Sequence, residues 1–349
     1  MLQANRHAIE AAPELSICQT ISVALCTYNG EQFLSRQLAS IASQTRLPDE
    51  LVICDDRSAD QTVDIVRKFA ASASFPVRLV ENSENLGSAK NFEKAMRLCS
   101  GDLIALSDQD DIWSPARLER CEQELRAHPE SGLVFSDGEI IDDQDRPIGK
   151  KLWQAFDFTE VRRCTLQAGN YDLLVKFRFV TGATVMVRAA LRDRFLPIPA
   201  GWIHDEWIAA IVCAFADLRP LDEPLIFYRE HTSQQVGFPT GVNPQWELQA
   251  HWNTLAAGEK TDTYWNGLTR NIRFAQTVCK ALSEMTLDER GRGILLSYEA
   301  WLQFACFRAS LPHRRLSRLA PVLKRYSWYS KHALGFKSAV KDLVRSRPR

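Results

Sequence analysis

A short apolar run ends in a cluster of carboxylates at Leu103-Ile104-Ala105-Leu106-Ser107-Asp108-Gln109-Asp110-Asp111. A run of this length and composition predicts a buried β-strand. Asp108 and Asp110 are two positions apart, so extended backbone would point both side chains the same way. Neighbouring carboxylates repel one another unless a cation lies among them. Mg²⁺ or Mn²⁺ would suit, because each takes few carboxylates and completes its shell with water and phosphate oxygens. The alternative is a solvated acidic turn.

Three earlier apolar runs also end in polar residues suited to a ligand. They are Ile21 to Cys26 followed by Thr27-Tyr28-Asn29, Leu51 to Cys54 followed by Asp55-Asp56-Arg57-Ser58, and Val77 to Val80 followed by Glu81, Asn82 and Asn85-Leu86-Gly87. The stretches between them have apolar residues at helical spacing. Strands that alternate with helices predict an α/β fold with a mostly parallel sheet flanked by helices. Ligands bind beyond the carboxyl ends of such strands, so these polar residues should converge on one site.

A dinucleotide site of the Rossmann type is the competing interpretation. The turn after the first strand, Cys26-Thr27-Tyr28-Asn29-Gly30-Glu31, lacks the G-x-G-x-x-G pattern that holds a pyrophosphate on a helix N-terminus. Phosphates at this site would therefore be held by a metal ion and not by a glycine loop.

In order and spacing, these segments resemble the inverting glycosyltransferases of family 2, which have the GT-A fold; the resemblance covers residues 20 to 238. It implies a nucleotide-diphosphate sugar as donor and a divalent cation, Mg²⁺ or Mn²⁺, on the D-x-D pair Asp108 and Asp110. Asp108 would also contact the donor. The other donor contacts that it implies in this half are Thr27, Tyr28, Asn29, Asp55, Asp56, Asn85, Gly87 and Asn91.

The second half of the chain supplies two further matches. Gly182, in Thr181-Gly182-Ala183-Thr184, resembles the family's glycine beside the donor sugar, where the missing Cβ lets backbone approach a ligand. A simple turn glycine is the alternative. Asp205 lies at the position of the family's catalytic base, although His204 replaces the usual Glu before it. Asp205 also precedes a helical pattern, so a helix N-cap is a second interpretation, and both roles could hold.

A basic pair follows the last apolar run of this region, at Tyr228-Arg229-Glu230-His231. The resemblance implies that His231 reaches the metal or the diphosphate and that Arg229 contacts the donor. Together with His204-Asp205-Glu206-Trp207, this pattern is most similar to the rhamnosyltransferase-like branch, which would make dTDP-rhamnose one donor. A satisfied surface histidine is the alternative.

The whole-chain numbers fit one catalytic domain with an extension. The chain has 349 residues, of which 45% are hydrophobic, and its net charge is zero. We expect an N-terminal segment at 1–20, a GT-A domain at 21–240 and a helical extension with a basic tail at 241–349. The nine cysteines are scattered and none forms a C-x-x-C pair, which favours a reducing compartment. Without a signal peptide or a long apolar stretch, a cytoplasmic enzyme is expected.

The zero net charge conceals a basic C-terminus. From His313 to Arg349 there are eleven Lys or Arg and one acid, Asp342, interleaved with Trp, Tyr and Leu. This composition suits the anionic inner face of a membrane. A solvated helical surface or a frayed tail is the alternative, and nothing else in the chain supports nucleic-acid binding.

Three classes of function fit these observations to different degrees. The first is a metal-dependent inverting glycosyltransferase that acts on a surface polysaccharide or a lipid-linked glycan. A nucleotidyltransferase would need a Gly- and Lys-rich loop after the first strand, which is missing. A non-catalytic nucleotide-sugar-binding protein would have lost its base or a metal ligand, yet Asp108, Asp110 and Asp205 are all present.

Overall fold

The computed structural model describes residues 19–177, 179–231, 234, 263–332 and 335–344. Most of the expected N-terminal segment, 1–20, lies outside the described residues. So do the expected domain boundary at 240 and the first part of the helical extension expected at 241–349. The three-part division of the chain therefore stays a prediction.

Nine strands form one sheet in the order β3-β2-β1-β4-β8-β6-β9-β5, and β7 pairs with β6. Their bounds are β1 Ile21–Thr27, β2 Glu50–Asp55, β3 Val77–Glu81, β4 Leu103–Ser107, β5 Ile112–Trp113, β6 Ser131–Ile141, β7 Pro147–Lys151, β8 Val185–Arg188 and β9 Asp217–Arg229. β1, β2 and β4 read as continuous apolar runs because both faces of the sheet are covered there.

The first four strands are parallel, as the sequence predicts, with β1 between β2 and β4. β8 then runs antiparallel to both β4 and β6, whereas β6 and β9 are parallel. The sheet is therefore mixed. The expected α/β architecture is confirmed, and the antiparallel strand β8 brings the second half of the chain beside the acidic end of β4.

The helices lie on both faces of the sheet and in a C-terminal helical region. Their bounds are α1 Leu34–Ala42, α2 Thr62–Ala70, α3 Ser88–Leu98, α4 Arg117–Ala127, α5 Leu152–Ala155, α6 Glu160–Gln167, α7 Asp172–Lys176, α8 Arg192–Phe195, α9 His204–Val212, α10 Thr263–Ser283, α11 Glu289–Ala309, α12 Leu319–Lys324, α13 Tyr326–His332 and α14 Phe336–Val344. The three helices predicted between the first four strands are confirmed as α1, α2 and α3. In α1 the apolar face of Leu34, Leu38 and Ile41 is fully buried.

Helices α10 and α11 form a pair that packs on the sheet-bearing half through α7 and α9. Two arginines make polar contacts across this packing. Arg270 pairs with Glu206 at 3.1 Å, and the Arg290 Nε donates to the Cys213 carbonyl at 3.0 Å. The C-terminal helices are thus bonded to α9, the helix that carries Asp205.

The described part of the basic C-terminus is folded, so the frayed-tail alternative is wrong for it. The centre of its small core is Asp342, whose side chain is fully buried. The Asp342 carboxylate accepts from the Arg308 guanidinium at 2.8 and 2.9 Å and from the Tyr329 hydroxyl at 2.7 Å. Arg318, also buried, donates to the Asp342 carbonyl at 2.8 Å. The one acid of this region is therefore a structural anchor.

Two further expectations concern the membrane and the cysteines. Among the described residues, no helix is both long enough and apolar enough to cross a bilayer. The eight cysteines in the described part of the chain are free, and five of them, Cys26, Cys54, Cys99, Cys121 and Cys213, are buried.

Replacing Asp342 by Ala should destabilise the fold, because the Arg308 guanidinium would keep its largely buried position without a carboxylate partner. The expected loss is about 3 kcal/mol in the free energy of unfolding, measured in urea. Asp64→Ala is the matched control, since the Asp64–Arg67 pair is exposed and should contribute less than about 1 kcal/mol. Equal losses in the two variants would contradict the anchoring role.

Candidate active site

The ends of β1 and β2 are bonded to each other through Asp55. Its buried carboxylate accepts from the Thr27 hydroxyl at 2.7 Å and from the Ser58 amide and hydroxyl at 2.8 and 2.6 Å. The predicted donor residues Thr27 and Asp55 therefore lie together at the carboxyl edge of the sheet. Their polar atoms are engaged within the protein, and contact with a nucleotide stays a prediction.

Asp56 organises the loop after β3. Its carboxylate accepts from the backbone amides of Leu86 and Gly87 at 2.7 and 2.8 Å, and from the Asn82 amide group at 2.8 Å. The Asn85 side chain donates to the Asp56 carbonyl at 3.3 Å. Gly87 has φ +78° at the start of α3, a conformation that favours glycine. Asp56, Asn85 and Gly87 are thus brought together as predicted from the sequence.

Asn91, on α3, forms hydrogen bonds with residues at the ends of β2 and β3. It is buried, its amide nitrogen donates to the Cys54 carbonyl at 2.8 Å, and its oxygen accepts from Asn82 at 2.9 Å. Asn91 therefore bonds α3 to β2 through its nitrogen and to the residue after β3 through its oxygen. Direct contact of Asn91 with a donor remains a prediction.

The loop after β1 is attached to the acidic segment by Gln109. Its amide oxygen accepts from the Tyr28 backbone N–H at 2.8 Å, and its nitrogen donates to the Tyr28 carbonyl at 3.0 Å. A Cβ at Gly30 would lie 2.2 Å from the Gln109 Oε1, so any other residue there would displace the Gln109 side chain. Asn29, at φ +48°, accepts from the Ala59 amide, and the Tyr28 ring stays exposed. Sequence reasoning missed Gln109, which lies between the two acids of the D-x-D.

The carboxylates at the end of β4 are crowded. The pKa of Asp108 is raised to about 8 by burial and by the negative charges of Asp110 and Asp205, with Arg117 opposing the shift. Asp205 is far from Asp108 in sequence, but it accepts a hydrogen bond from Gly182, which lies in the 3₁₀ turn that contacts β4. The structure therefore brings the predicted base and the predicted D-x-D together.

Two buried groups lie behind these acids. Asp111 is fully buried, and its pKa is raised well above the usual range by burial and by Asp110 and Asp108. Arg117 is fully buried too, with its guanidinium over the Trp113 ring at 3.7 Å, and burial lowers its pKa to about 10. It interacts electrostatically with Asp111 and Asp108, so it is a fixed countercharge. Sequence reasoning missed Arg117; the feature that could have indicated it is an Arg at the start of α4, the helix that follows the acidic segment.

The predicted metal ligands Asp110 and His231 meet, with 2.9 Å between the Asp110 Oδ2 and the His231 Nε2. The His231 ring packs against Phe33. Among the residues that the structure describes, no group of three His, Cys, Asp or Glu side chains is placed to hold a metal ion alone. Carboxylate and imidazole are nevertheless suitable Mn²⁺ or Mg²⁺ ligands, and a diphosphate would supply the remaining oxygens. The repulsion that raises the pKa of Asp108 would also be relieved by a cation.

Arg229 is buried and holds the acidic segment in place. Its backbone N–H donates to the Asp111 carboxylate at 3.1 Å, and its Nε donates to the Asp110 carbonyl at 2.7 Å. Its Nη1 pairs with the Asp145 carboxylate at 2.6 Å, and its guanidinium lies 4.5 Å from the centre of the Phe33 ring. These contacts support a positioning role, and its predicted contact with the donor stays a prediction.

Asp205 lies in the first turn of α9, which begins at His204. The N-cap residue is Ile203, whose side chain makes no capping hydrogen bond, so the N-cap interpretation of Asp205 is wrong. The Asp205 Oδ2 accepts from the Gly182 amide at 2.9 Å, and its Oδ1 accepts from the Glu206 amide at 2.6 Å. The carboxylate is thereby held in one orientation, with its negative charge at the positive end of α9.

His204 fills the space beside Gly182. A Cβ at Gly182 would lie 2.4 Å from the His204 Nε2, so this glycine is required by the imidazole within the protein. The buried ring stacks on Phe92 at 4.0 Å between centroids. Burial lowers the pKa of His204 to about 3, so the ring is neutral at physiological pH. His204, which replaces the Glu of the family pattern, thus packs against Gly182, whose amide orients Asp205.

Comparison with known proteins identifies the family of the sheet-bearing half of the chain. Residues 22–195 match the family described as Glycosyl transferase family 2. The chain contains a family 2 glycosyltransferase domain. It is 25% identical over 285 residues to an uncharacterized glycosyltransferase of Nostoc sp., covering 77% of this chain and 85% of that protein. The enzyme class is therefore that of the glycosyltransferases.

Two further likenesses are informative. Over 99 residues the chain is 35% identical to the E. coli UDP-Glc:alpha-D-GlcNAc-diphosphoundecaprenol beta-1,3-glucosyltransferase WfgD, covering 28% of this chain and 38% of that protein. The crystal structure of S. aureus TarS 1–349 in complex with UDP-GlcNAc superposes with a TM-score of 0.55 and 16% identity, covering 93% of this chain and 81% of that one. This structural likeness confirms the predicted GT-A fold.

Gly182→Ala should disturb the Asp205 carboxylate, because the added methyl group would collide with the His204 ring. We expect a loss of about 1–3 kcal/mol in unfolding free energy, together with reduced activity. Gly267→Ala is the control, since Gly267 lies in α10 with open space around its Cα and should tolerate a methyl group. The double variant Gly182→Ala/His204→Ala removes the collision, so it should recover part of the loss in a double-mutant cycle. Strictly additive losses would contradict the contact.

Proposed function

We propose that this glycosyltransferase moves a sugar from a nucleotide-diphosphate sugar to a hydroxyl of a surface polysaccharide or lipid-linked glycan, with inversion and with Mg²⁺ or Mn²⁺. The observation that carries the proposal is the placement of Asp205, oriented by the Gly182 amide, beside the carboxylates at the end of β4. The activity of the E. coli relative, transfer of glucose onto a diphosphoundecaprenol-linked sugar, supports this class of acceptor.

Asp205 would act as the general base. Its carboxylate accepts the proton of the acceptor hydroxyl as that oxygen forms a bond to the anomeric carbon of the donor sugar. The bond between the anomeric carbon and the phosphate oxygen breaks on the opposite face, and its electron pair leaves with the nucleoside diphosphate. One displacement of this kind inverts the anomeric configuration and requires no covalent enzyme intermediate.

Asp108, Asp110 and His231 would hold the cation, with the donor diphosphate as the remaining ligand. When bound, the divalent ion offsets the negative charge of the departing diphosphate. The buried Arg229 would keep the acidic segment in place through its bonds to Asp110 and Asp111, and the buried Arg117 would offset part of its charge.

The donor would bind along the carboxyl ends of β1 to β4. The exposed Tyr28 ring and Asn29 are proposed to contact the nucleoside, together with the loop that Asp56 organises. A thymidine nucleotide with rhamnose is the donor that the His204-Asp205-Glu206-Trp207 and Tyr228-Arg229-Glu230-His231 patterns favour. A nucleotidyltransferase has no comparable support, since the matched family is one of glycosyltransferases.

Asp110→Asn should abolish transfer and weaken donor binding, because the diphosphate would lose its bridging cation. EDTA should do the same to the wild-type protein, and added Mn²⁺ should restore it. Release of nucleoside diphosphate is the activity readout, and calorimetry gives donor affinity. Asp102→Asn is the control, because Asp102 is an exposed acid at the opposite end of the same strand. Full activity in EDTA would exclude the metal-dependent mechanism.

Asp205→Asn should lower turnover by roughly 10² to 10⁴, because an amide cannot accept the acceptor proton. Donor affinity should change little, since Asp205 would face the acceptor. Glu206→Gln is the control in the same helical turn, and it should retain most turnover because Glu206 pairs with Arg270. The reverse pattern, with Glu206→Gln inactive and Asp205→Asn active, would assign the base to Glu206.

A further inference from the structure

The C-terminal segment, residues 313–344, exposes an unusual number of large apolar side chains. Ten large apolar side chains are exposed among the residues that the structure describes, and six of them lie in this segment. The six are Leu316, Leu319, Leu323, Tyr326, Phe336 and Val344. The core around Asp342 uses other residues of the segment, so folding alone does not account for these six.

Three of the six form a stripe. Leu316, Leu319 and Leu323 are spaced three and four residues apart, leading from a short 3₁₀ turn through α12. Residues at this spacing share one face of a helix. They are 91%, 49% and 62% exposed, whereas Val322 on the same helix is buried. The outward face of α12 is therefore apolar.

Helix α14 also has a buried side and an exposed side, and its exposed side carries basic as well as apolar residues. Ser338, Ala339 and Asp342 are its buried side, and the opposite side of the helix carries Phe336, Lys337, Lys341 and Val344. Phe336 is 69% exposed. α12 and α14 contact each other, so their outer faces belong to one region of the molecule.

The charge of this region has a single sign. Asp342, the only acid between 313 and 344, is buried and bonded to Arg308. Seven basic side chains of the segment are exposed, namely Arg314, Arg315, Lys324, Arg325, Lys331, Lys337 and Lys341. The described part of the C-terminal segment therefore presents basic and apolar groups to solvent and no acid.

We propose that the C-terminal segment docks on a membrane surface rich in anionic lipid. Exposed Leu and Phe would enter the headgroup region, while Lys and Arg pair with lipid phosphates. A nucleic acid would use the charge but would gain little from the leucine stripe. A lipid-linked acceptor would lie at such a surface; this link to the acceptor rests on the proposed function, whereas docking does not.

Co-sedimentation of the full chain with vesicles tests the proposal. The vesicles contain phosphatidylcholine with about 30% phosphatidylglycerol, so that about a third of the lipid is anionic. They should bind the protein at about 20–50 mM salt, where the Debye length is roughly 15–20 Å. Pure phosphatidylcholine vesicles should bind far less, and about 0.5 M salt should release most of the protein. Each basic residue near the surface contributes about fivefold to partitioning at low salt, so Lys324→Gln/Lys337→Gln/Lys341→Gln should weaken binding at least tenfold.

Two sets of matched variants separate the contributions of charge and apolar contact. Leu316→Ser/Leu323→Ser/Phe336→Ser keeps every charge and should also lose at least tenfold in vesicle binding. Val161→Ser is its control, since Val161 is 75% exposed outside the segment. Lys68→Gln/Arg126→Gln/Lys150→Gln is the control for charge, because these exposed basic residues lie in the sheet-bearing half.

All of these side chains are exposed, so the unfolding transition of each variant should match wild type. Donor hydrolysis should be unchanged as well, which distinguishes failure of docking from failure of the proposed transferase chemistry. Indifference of the full chain to anionic vesicles at low salt would overturn the proposal. Equal losses of vesicle binding in the segment variants and their controls would also overturn it. So would wild-type vesicle binding by the Leu316→Ser/Leu323→Ser/Phe336→Ser variant.

Discussion

Repulsion among carboxylates at the end of β4 is the constraint on which the rest of the site depends. Asp108, Asp110 and Asp111 lie close together there, and Asp205 adds a fourth carboxyl group from another part of the chain. The buried Arg117 guanidinium offsets part of the carboxylate charge, and the backbone N–H of Arg229 donates to the Asp111 carboxylate. Under the proposed function, a cation bound together with the donor diphosphate would offset the rest.

The two halves of the site come from distant parts of the chain and are joined by the sheet. β8 inserts antiparallel between β4 and β6, which places Gly182 next to the acidic end of β4. The Gly182 amide then orients Asp205 at the start of α9, and α10 is tied to that helix through the Arg270–Glu206 pair. The helical extension is thus bonded to the helix that carries the proposed base.

The sequence predicted what local patterns encode. Apolar runs ending in polar residues located β1 to β4 and the edge where the site lies, and the pairing of His231 with Asp110 agrees with the expected ligand set. Contacts between residues that are distant in sequence could not be predicted. Three roles depend on neighbours that only the folded chain brings together: Arg117 is a buried countercharge, Gln109 bonds to the Tyr28 backbone, and His204 occupies the space beside Gly182. The same holds for Asp342, which composition marks only as one acid among basic residues.

The anomeric configuration of the sugar first released from the donor tests the central claim most directly. The enzyme would be incubated at high concentration with Mn²⁺ and a nucleotide sugar, so that release of the sugar is faster than mutarotation, and NMR would record the first-formed anomer. One displacement with the proton accepted by Asp205 predicts a product of opposite configuration to the donor. A first-formed sugar that retains the donor configuration would contradict it.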